Sequence, residues 1–335
     1  MARYKLLKLE IKGFRRFSAS RSFEFHDATG RPLDYVVLAG PNGSGKTTVL
    51  EAILLALGRE DLIVRDLAAA DRTTAAPVRL EQGAELRAVV RDLERALVYS
   101  LHRRAGMPGP RCTGSADTGI PMPEVVEAAT IGVQVEYLSS RRLPARVGAI
   151  EDAVRGRPAD DTEANRLWRF KQRVRQQQGR RVPGYVGPEP LDQLWMAKLN
   201  DFWKVFRADG THLTMTLVDP GDLDASEWDL FLYKGARRIC SVDALSSGEL
   251  EILSMVVPFI TEAFDGLLLI DEPELHLHPQ WQGRVMRALR RVVPHAQLIV
   301  ATHADDPWDD AMSWERILLV EPGDPRFQQA DESAR

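Results

Sequence analysis

Apolar and polar positions alternate at the start of the chain and predict β-strands. Residues 4–12 alternate, and a Gly-Phe-Arg-Arg-Phe turn at 13–17 leads to a second strand-like stretch near 23–25. An unbroken apolar run at 35–39 is typical of a buried strand, and a helical pattern at 47–57 follows a glycine-rich loop. The opening therefore predicts strands followed by a strand–loop–helix unit.

The middle of the chain has mixed patterns. Residues 79–81 and 96–101 predict strands of an antiparallel sheet, and residues 133–138 alternate again. The stretch 106–123 is rich in glycine, proline and small polar residues, so we expect a surface loop there. Residues 149–207 are mainly helical in pattern, and strand-like stretches follow at 213–218 and 230–234.

The last part of the chain alternates between helical and strand patterns. Strands are predicted at 267–270, 298–301 and 316–320, with helices after residue 248 and from residue 280. This alternation is typical of a parallel sheet flanked by helices, so the sequence predicts the α/β fold class.

Composition narrows the possible classes of protein. The 335 residues are 44% hydrophobic and 27% charged, which is ordinary for a globular chain. The net charge of -4 provides no overall positive field for nucleic acid, so any such contact must use a local patch. Two cysteines exclude a disulfide scaffold or a four-cysteine zinc site within the chain. Without a signal-like start or a membrane-length apolar run, we expect a soluble cytoplasmic protein with no membrane partner.

A phosphate-binding loop lies between the predicted buried strand and the helix. Residues 40–47 fit the pattern G-x-x-x-x-G-K-[ST] in full. Glycines let successive backbone N–H groups face anionic oxygens, and the helix presents its positive N-terminal end to them. Lys46 is expected to reach the β- and γ-phosphates, and Thr47 to bind Mg²⁺. The expected nucleotide-binding residues here are Gly40, Pro41, Asn42, Gly43, Ser44, Gly45, Lys46, Thr47 and Thr48.

Two acids end the apolar strand at 267–270. Carboxylates at the end of a buried strand need a cation or water to offset their desolvation. In a phosphate-loop enzyme Asp271 is expected to bind Mg²⁺ and nucleotide, and Glu272 to orient or deprotonate the attacking water.

The segment Leu-Ser-Ser-Gly-Glu at 245–249 resembles the signature motif of ATP-binding-cassette (ABC) ATPases, usually Leu-Ser-Gly-Gly-Gln. Ser247 and Glu249 depart from that pattern, as is common in the branch that contains SMC, RecF and OLD (overcoming-lysogenization-defect) ATPases. Residues 271–279 are similar to the Walker B and D-loop run of this branch. Residues 297–303 resemble its switch strand, with His303 as the catalytic histidine that senses the γ-phosphate. The resemblance covers about 1–60 and 240–320.

The resemblance implies a P-loop NTPase fold, an ABC-type head with an N-terminal antiparallel β subdomain and a helical insertion. Its parts would be an N-terminal lobe at 1–148, a basic helical insertion or lid at 149–210 and a C-terminal lobe at 211–335. It also implies a head-to-tail dimer, or a higher assembly, that sandwiches ATP and Mg²⁺. In that dimer Ser246, Gly248 and Glu249 of one copy would meet the nucleotide on Lys46 of the other.

Two further features bear on the binding of a metal or nucleotide. His276 and His278 have the spacing of a ligand pair, but no cysteine or histidine cluster completes a zinc site, and the family resemblance accounts for both. Gln134 is off the register expected of a Q-loop glutamine.

A basic segment runs from Arg166 to Arg181, with seven positive side chains, no acid, and Trp168 and Phe170 between them. Three interpretations remain open: contact with a nucleic-acid backbone, docking of an acidic partner, or a solvated helix that packs Trp168 inward.

Three functions are compatible with this sequence. The first is an ATPase that senses nucleic acid or controls a separate effector chain, as in anti-phage defence modules. The 32 residues after His303 are too few for the nuclease domain of OLD proteins, and the chain has no SMC-type arm, so we expect it to act through another protein. The alternatives are a RecF-like DNA repair clamp and, less in keeping with the motifs, the ATP-binding subunit of a transporter.

Overall fold

The computed structural model describes residues 4–63, 80–116, 121–127, 133–140, 167, 169–174, 191–218 and 228–320. The chain divides into two compact units. The first comprises Met1–Arg141, Asp265–Leu275 and His295–Arg335, and the second comprises Arg142–Phe264 and His276–Pro294.

Strands and helices of the described residues are numbered in chain order. The strands are β1 (Tyr4–Lys12), β2 (Arg21–Glu24), β3 (Tyr35–Ala39), β4 (Glu85–Asp92), β5 (Leu97–Arg104), β6 (Arg111–Ala116), β7 (Pro121–Glu127), β8 (Val135–Leu138), β9 (Thr211–Leu217), β10 (Trp228–Lys234), β11 (Arg237–Ser241), β12 (Leu267–Asp271), β13 (Gln297–Thr302) and β14 (Arg316–Leu318). The helices are α1 (Lys46–Ala56), α2 (Leu191–Phe206), α3 (Ser247–Ile260), α4 (Pro279–Val292) and α5 (Asp305–Asp309).

A six-stranded antiparallel sheet, in the order β2-β1-β4-β5-β6-β7, forms one layer of the first unit. Strand β4 alternates between intermediate and buried positions, with Leu86, Ala88 and Val90 in the core. The prediction of a strand at 79–81 was wrong. Leu80 and Glu81 precede a turn, in which the Ala84 amide donates to the Glu81 carbonyl, and the strand starts only afterwards.

The predicted surface loop over 106–123 is confirmed only at residues 106–110, which form a turn and a bend; residues 117–120 lie outside the described residues, and most of the rest is in strands. Residues 111–116 form β6, which places Cys112 in the core, and β7 begins at Pro121. Prolines at 121 and 123 are tolerated better there because β7 is the edge strand of the described sheet, where part of the backbone N–H groups face away from the ladder, and Pro121 is the first residue of the strand. Composition alone therefore misjudged two strands.

A five-stranded sheet, in the order β14-β3-β13-β12-β8, forms the second layer of the first unit. Each of its strand pairs is parallel, which confirms the predicted α/β class. Helix α1 contacts β4 and β5 of the antiparallel sheet as well as β12 and β13 of the parallel sheet, so it lies between the two layers. Helix α1 is consequently apolar and buried around most of its circumference.

In the described part of the second unit, an antiparallel sheet has the order β11-β10-β9, and helices α2, α3 and α4 contact one another. Strands β9 and β10 match the predicted strands near 213–218 and 230–234. Much of the predicted helical segment 149–207 lies outside the described residues, and the three-part division at 148 and 210 stays a prediction. In the described part of the chain, no helix is both long and apolar enough to cross a membrane.

Candidate nucleotide-binding site

The loop between β3 and α1 requires glycine at several points. Gly43 and Gly45 have φ angles of 76° and 100°, in the left-handed region. A Cβ on Gly45 would lie 2.7 Å from Arg16 Cδ, and one on Gly40 would lie 2.5 Å from the Leu319 carbonyl oxygen. Larger residues would therefore strain the loop or displace its neighbours, so that its curvature depends on these glycines.

Lys46 begins helix α1 and folds back over the loop. Its Nζ donates to the carbonyl oxygens of Gly40 at 2.8 Å and Pro41 at 3.2 Å. Burial lowers the pKa of Lys46, while the nearby carboxylates, first that of Glu272 and then that of Asp271, raise it. The loop carbonyls thus hold the ammonium in place. Phosphate oxygens are charged and therefore stronger acceptors, and they would take the place of these carbonyls.

The other loop residues differ in exposure. Asn42 and Gly43 are exposed, Pro41 is half-buried, and Ser44 and Thr48 are buried. The Ser44 amide donates to the Pro41 carbonyl at 3.0 Å and closes the turn.

Asp271 ends β12 and is fully buried. Its Oδ2 accepts hydrogen bonds from Thr47 Oγ1 and from Ser140 Oγ, both at 2.9 Å. A carboxylate and hydroxyls are the hard oxygen ligands that Mg²⁺ prefers, so Thr47 and Asp271 fit the metal predicted for this place.

Glu272, Glu274 and His303 form a cluster beside Asp271. Glu272 has a φ of 49°, rare for a residue with a side chain, and its amide donates to the Ala301 carbonyl at 2.7 Å. His303 Nδ1 lies 3.5 Å from Glu272 Oε1 and 3.4 Å from Glu274 Oε1. Backbone strain of this kind concentrates at functional sites.

Glu274 binds the carboxyl end of β13. Its Oε1 accepts from Thr302 Oγ1 at 2.7 Å and from the His303 amide at 3.2 Å, and the carboxyl group is buried. Glu274 therefore fixes the backbone that carries the imidazole of His303.

Sequence reasoning missed the roles of Ser140 and Glu274. The run Ser139-Ser140 after β8 is a signal for the first, because β8 lies beside β12 in parallel register and its carboxyl end meets the same edge of the sheet. Gln134 lies at the opposite end of β8, where its carbonyl accepts from the Leu267 amide at 2.8 Å. Gln134 therefore does not reach Asp271.

The signature residues lie in the second unit, at the start of α3. Ser246 caps the helix: its Oγ accepts from the Glu249 amide, and Glu249 Oε2 accepts from the Ser246 amide at 2.9 Å. A Cβ on Gly248 would lie 3.1 Å from the His276 carbonyl oxygen, so glycine allows this close approach. A cavity of about 490 Å³ opens here, lined by Ser246, Gly248, His276, Leu277, His278, Gln280 and Trp281. His278 caps α4, accepting at Nδ1 from the Gln280 amide.

The basic segment is only partly a charged surface. Lys171 is fully buried, and its Nζ pairs with Asp229 Oδ1 at 2.7 Å and Asp243 Oδ2 at 3.0 Å. Including Lys171 among the possible nucleic-acid contacts was therefore wrong, because two aspartates already neutralise it within the fold. Arg169 and Arg173 are exposed, and Arg173 pairs with Glu262 at 2.8 Å. Trp168 and the arginines at 166, 175, 180 and 181 lie outside the described residues.

The fold has the form of an α/β P-loop NTPase and is similar to SMC head domains. A family model described as "AAA domain, putative AbiEii toxin, Type IV TA system" matches residues 150–305, and one described as "AAA domain" matches residues 8–96. The crystal structure of an Smc head bound to the C-winged helix domain of ScpA superimposes with a TM-score of 0.53 at 16% identity, covering 92% of each chain. An Smc head domain from Pyrococcus furiosus, bound to the C-terminal domain of ScpA, gives 0.51 at 16% identity and the same coverage of both chains. These likenesses establish the fold.

Particular relatives are similar over shorter stretches. The Septu protein PtuA of Bacillus thuringiensis is 49% identical over 17% of this chain and 14% of its own length. The Retron Vc95 probable ATPase of Vibrio cholerae is 31% identical over 35% of this chain and 22% of its own length. The Retron Ec83 probable ATPase of Escherichia coli is 37% identical over 19% and 14%, respectively. The matches thus span less than a quarter of each relative.

Proposed function

We propose that the chain binds ATP with Mg²⁺ on the loop at 40–48 and hydrolyses it to ADP and phosphate. The observation that carries this proposal is one cluster at the carboxyl end of the parallel sheet. There Lys46 and Thr47 lie at the helix start, Asp271 accepts from Thr47, and His303 approaches Glu272. In α/β sheets this edge is the usual place for ligands.

Each residue has a role that follows from its chemistry. The Lys46 ammonium would exchange the loop carbonyls for β- and γ-phosphate oxygens and offset their charge. Thr47 and Asp271 would hold Mg²⁺, which neutralises charge on the phosphates. Glu272 would accept the proton of the attacking water, and His303, whose Nδ1 lies 3.5 Å from Glu272 Oε1, would contact the γ-phosphate.

The signature motif supports a further step, in which two copies share the nucleotide. Ser246 and the first amides of α3 form a helix N-terminus beside an open cavity, which suits an anion. The proposed assembly is a head-to-tail dimer in which Ser246, Gly248 and Glu249 of one copy face the γ-phosphate on the other. Cleavage would remove the group that links them.

We further propose that this cycle controls a separate effector protein in a defence-type module. The similarity to PtuA and to two retron ATPases, which are defence-associated, favours this reading over a RecF-like repair clamp or a transporter subunit. A nucleic-acid trigger remains part of the proposal through the exposed arginines at 169 and 173. Expression of the native operon with the Glu272→Gln variant, followed by purification of this chain with its bound proteins, would identify the partner.

The catalytic proposal is tested by nucleotide affinity and steady-state turnover. Lys46→Ala should abolish ATP binding, with Lys8→Ala as a control lysine on β1 that pairs with Glu10. Glu272→Gln should bind ATP and turn it over at least about 100-fold more slowly, in the range that general-base catalysis contributes. Unchanged ATP affinity in Lys46→Ala would refute the site, and equal turnover in Glu272→Gln would remove its role as the base.

A further inference from the structure

Glu249 occupies the position where the signature pattern usually has glutamine, and its carboxylate has partners on both sides. Oε2 accepts from the Ser246 amide at 2.9 Å and from Ser246 Oγ at 2.8 Å. Oε1 makes a close ion pair with Nη1 of Arg207, and the carboxylate is buried. Arg207 follows the last residue of α2, so one carboxylate links the end of α2 to the signature serine.

A carboxylate at this place has an electrostatic consequence. In the proposed dimer Ser246 faces a γ-phosphate, so a buried negative charge hydrogen-bonded to that serine would repel the ligand. A glutamine would carry no charge and would not need compensation. Arg207 supplies the compensating positive charge within the same unit.

The guanidinium is itself held in place. Its Nη2 pairs with Asp209 Oδ2 at 2.9 Å, and Asp209 also accepts from the Thr211 hydroxyl at 2.6 Å. The hydrogen bond from Thr211, with that from Arg207, holds the pKa of Asp209 at about 2, so this anchor is ionised at neutral pH. Arg207 is thus pre-organised between two carboxylates, one of which belongs to the signature motif.

We propose that Arg207 is a positioning residue for the signature motif. It neutralises Glu249 and fixes the carboxylate that orients Ser246, and thereby permits the second copy's γ-phosphate to bind at the start of α3. The inference rests on the proposed shared nucleotide and deepens it, because it makes the end of α2 a determinant of dimer closure.

A purely structural role for Arg207 makes a different prediction. If the arginine only ties α2 to α3, its loss should be equally harmful whatever residue stands at 249. If it compensates charge, its loss should matter only while a carboxylate is there. Changing Glu249 to glutamine therefore separates the two roles.

The experiment compares wild type, Arg207→Ala, Arg207→Lys, Glu249→Gln and the double variant Arg207→Ala/Glu249→Gln. The control is Arg284→Ala, because Arg284 also touches the end of α2, through the Val205 carbonyl, but no signature residue. ATP-dependent dimerisation is measured by sedimentation velocity in the Glu272→Gln background, and turnover is measured with Glu272 intact. Thermal unfolding without nucleotide confirms that each variant is folded.

We expect Arg207→Ala to require about tenfold more ATP for half-maximal dimerisation and to lose about tenfold in turnover, the effect of one charge-assisted contact. Arg207→Lys should stay within about threefold of wild type, since the charge is kept. In the Glu249→Gln background, loss of Arg207 should change either quantity by less than about twofold.

Two results would overturn the inference alone: wild-type behaviour of Arg207→Ala, or a loss that Glu249→Gln does not rescue. A wild-type protein that neither dimerises nor hydrolyses ATP would instead overturn the proposed function, and this inference with it. If Arg207→Ala does not fold, comparison of the double variant with Glu249→Gln still distinguishes the two roles. A double variant that is equally unfolded shows that the role of Arg207 is structural.

Discussion

Substitution of Glu274 tests how the carboxyl end of β13 is held in place. The sequence motifs did not predict its contacts with Thr302 and His303. Its buried carboxylate accepts from the Thr302 hydroxyl at 2.7 Å and from the His303 amide at 3.2 Å. We predict that Glu274→Gln loosens residues 302–304 without unfolding the sheet. Glu274→Leu should loosen them more, because it leaves both donors without this acceptor.

The magnitude follows from the two hydrogen bonds. A hydrogen bond to a charged group contributes about 1.5–3 kcal/mol, and a neutral one about 0.5–1.5 kcal/mol. Glutamine keeps one acceptor oxygen, so each bond loses about 1 kcal/mol and the pair about 2 kcal/mol. That corresponds to about 30-fold faster local opening, an upper estimate because a neutral side chain is also cheaper to bury.

The assay is amide hydrogen exchange followed by mass spectrometry on the peptide that contains the His303 amide. Glu315→Gln is the matched control. Its carboxylate accepts from the Met312 amide, in the same stretch of chain but away from Thr302 and His303. We expect exchange at 302–304 to accelerate up to about 30-fold in Glu274→Gln, further in Glu274→Leu, and not in the control. Turnover of ATP should fall in the same order.

Unchanged exchange in Glu274→Leu would refute the reasoning, since removing the acceptor would then have cost nothing at the backbone it holds. Faster exchange with unchanged turnover would keep the structural role of Glu274 and remove its link to His303.

Three further changes probe the fold around the site. Lys171→Met should lower the free energy of unfolding by about 3–5 kcal/mol, because it leaves two aspartates without their buried cation; denaturant unfolding with an unchanged midpoint would contradict this. Gly40→Ala should abolish nucleotide binding, because its Cβ would lie 2.5 Å from the Leu319 carbonyl oxygen, whereas Gly30→Ala, with open space around it, should bind normally; calorimetry compares the two. Ser140→Ala removes a hydroxyl that donates to the buried Asp271, so we expect half-maximal ATP binding to require about tenfold more Mg²⁺, and equal Mg²⁺ titrations would show that Ser140 is dispensable.

The sequence identified the parts of the site that depend on local patterns. The loop at 40–47 and the acids at 271 and 272 were recognisable because each feature follows a single apolar strand, and the structure gathers them at one sheet edge. The parallel sheet was predictable for the same reason, since strands and helices alternate in the last part of the chain.

The features that the sequence did not predict depend on contacts between segments that are distant along the chain. Ser140 reaches Asp271 only because β8 pairs with β12, and the run Ser139-Ser140 does not by itself predict that pairing. Lys171 resembled surface charge because its two aspartate partners are 58 and 72 positions further along the chain, at 229 and 243. Strand β7 was missed because prolines are unusual in strands, and they are tolerated here at an edge strand that begins with Pro121. In each case tertiary structure changed the meaning of a local signal.

The central claim of the account is that each bound ATP is held between two copies of the chain. Sedimentation velocity of the Glu272→Gln variant with saturating ATP and Mg²⁺ tests it most directly, with ADP and a Ser246→Arg variant as controls. The account predicts a dimer with ATP alone and monomers in both controls. A species that stays monomeric with ATP, while the wild-type protein hydrolyses it at full rate, would contradict the account.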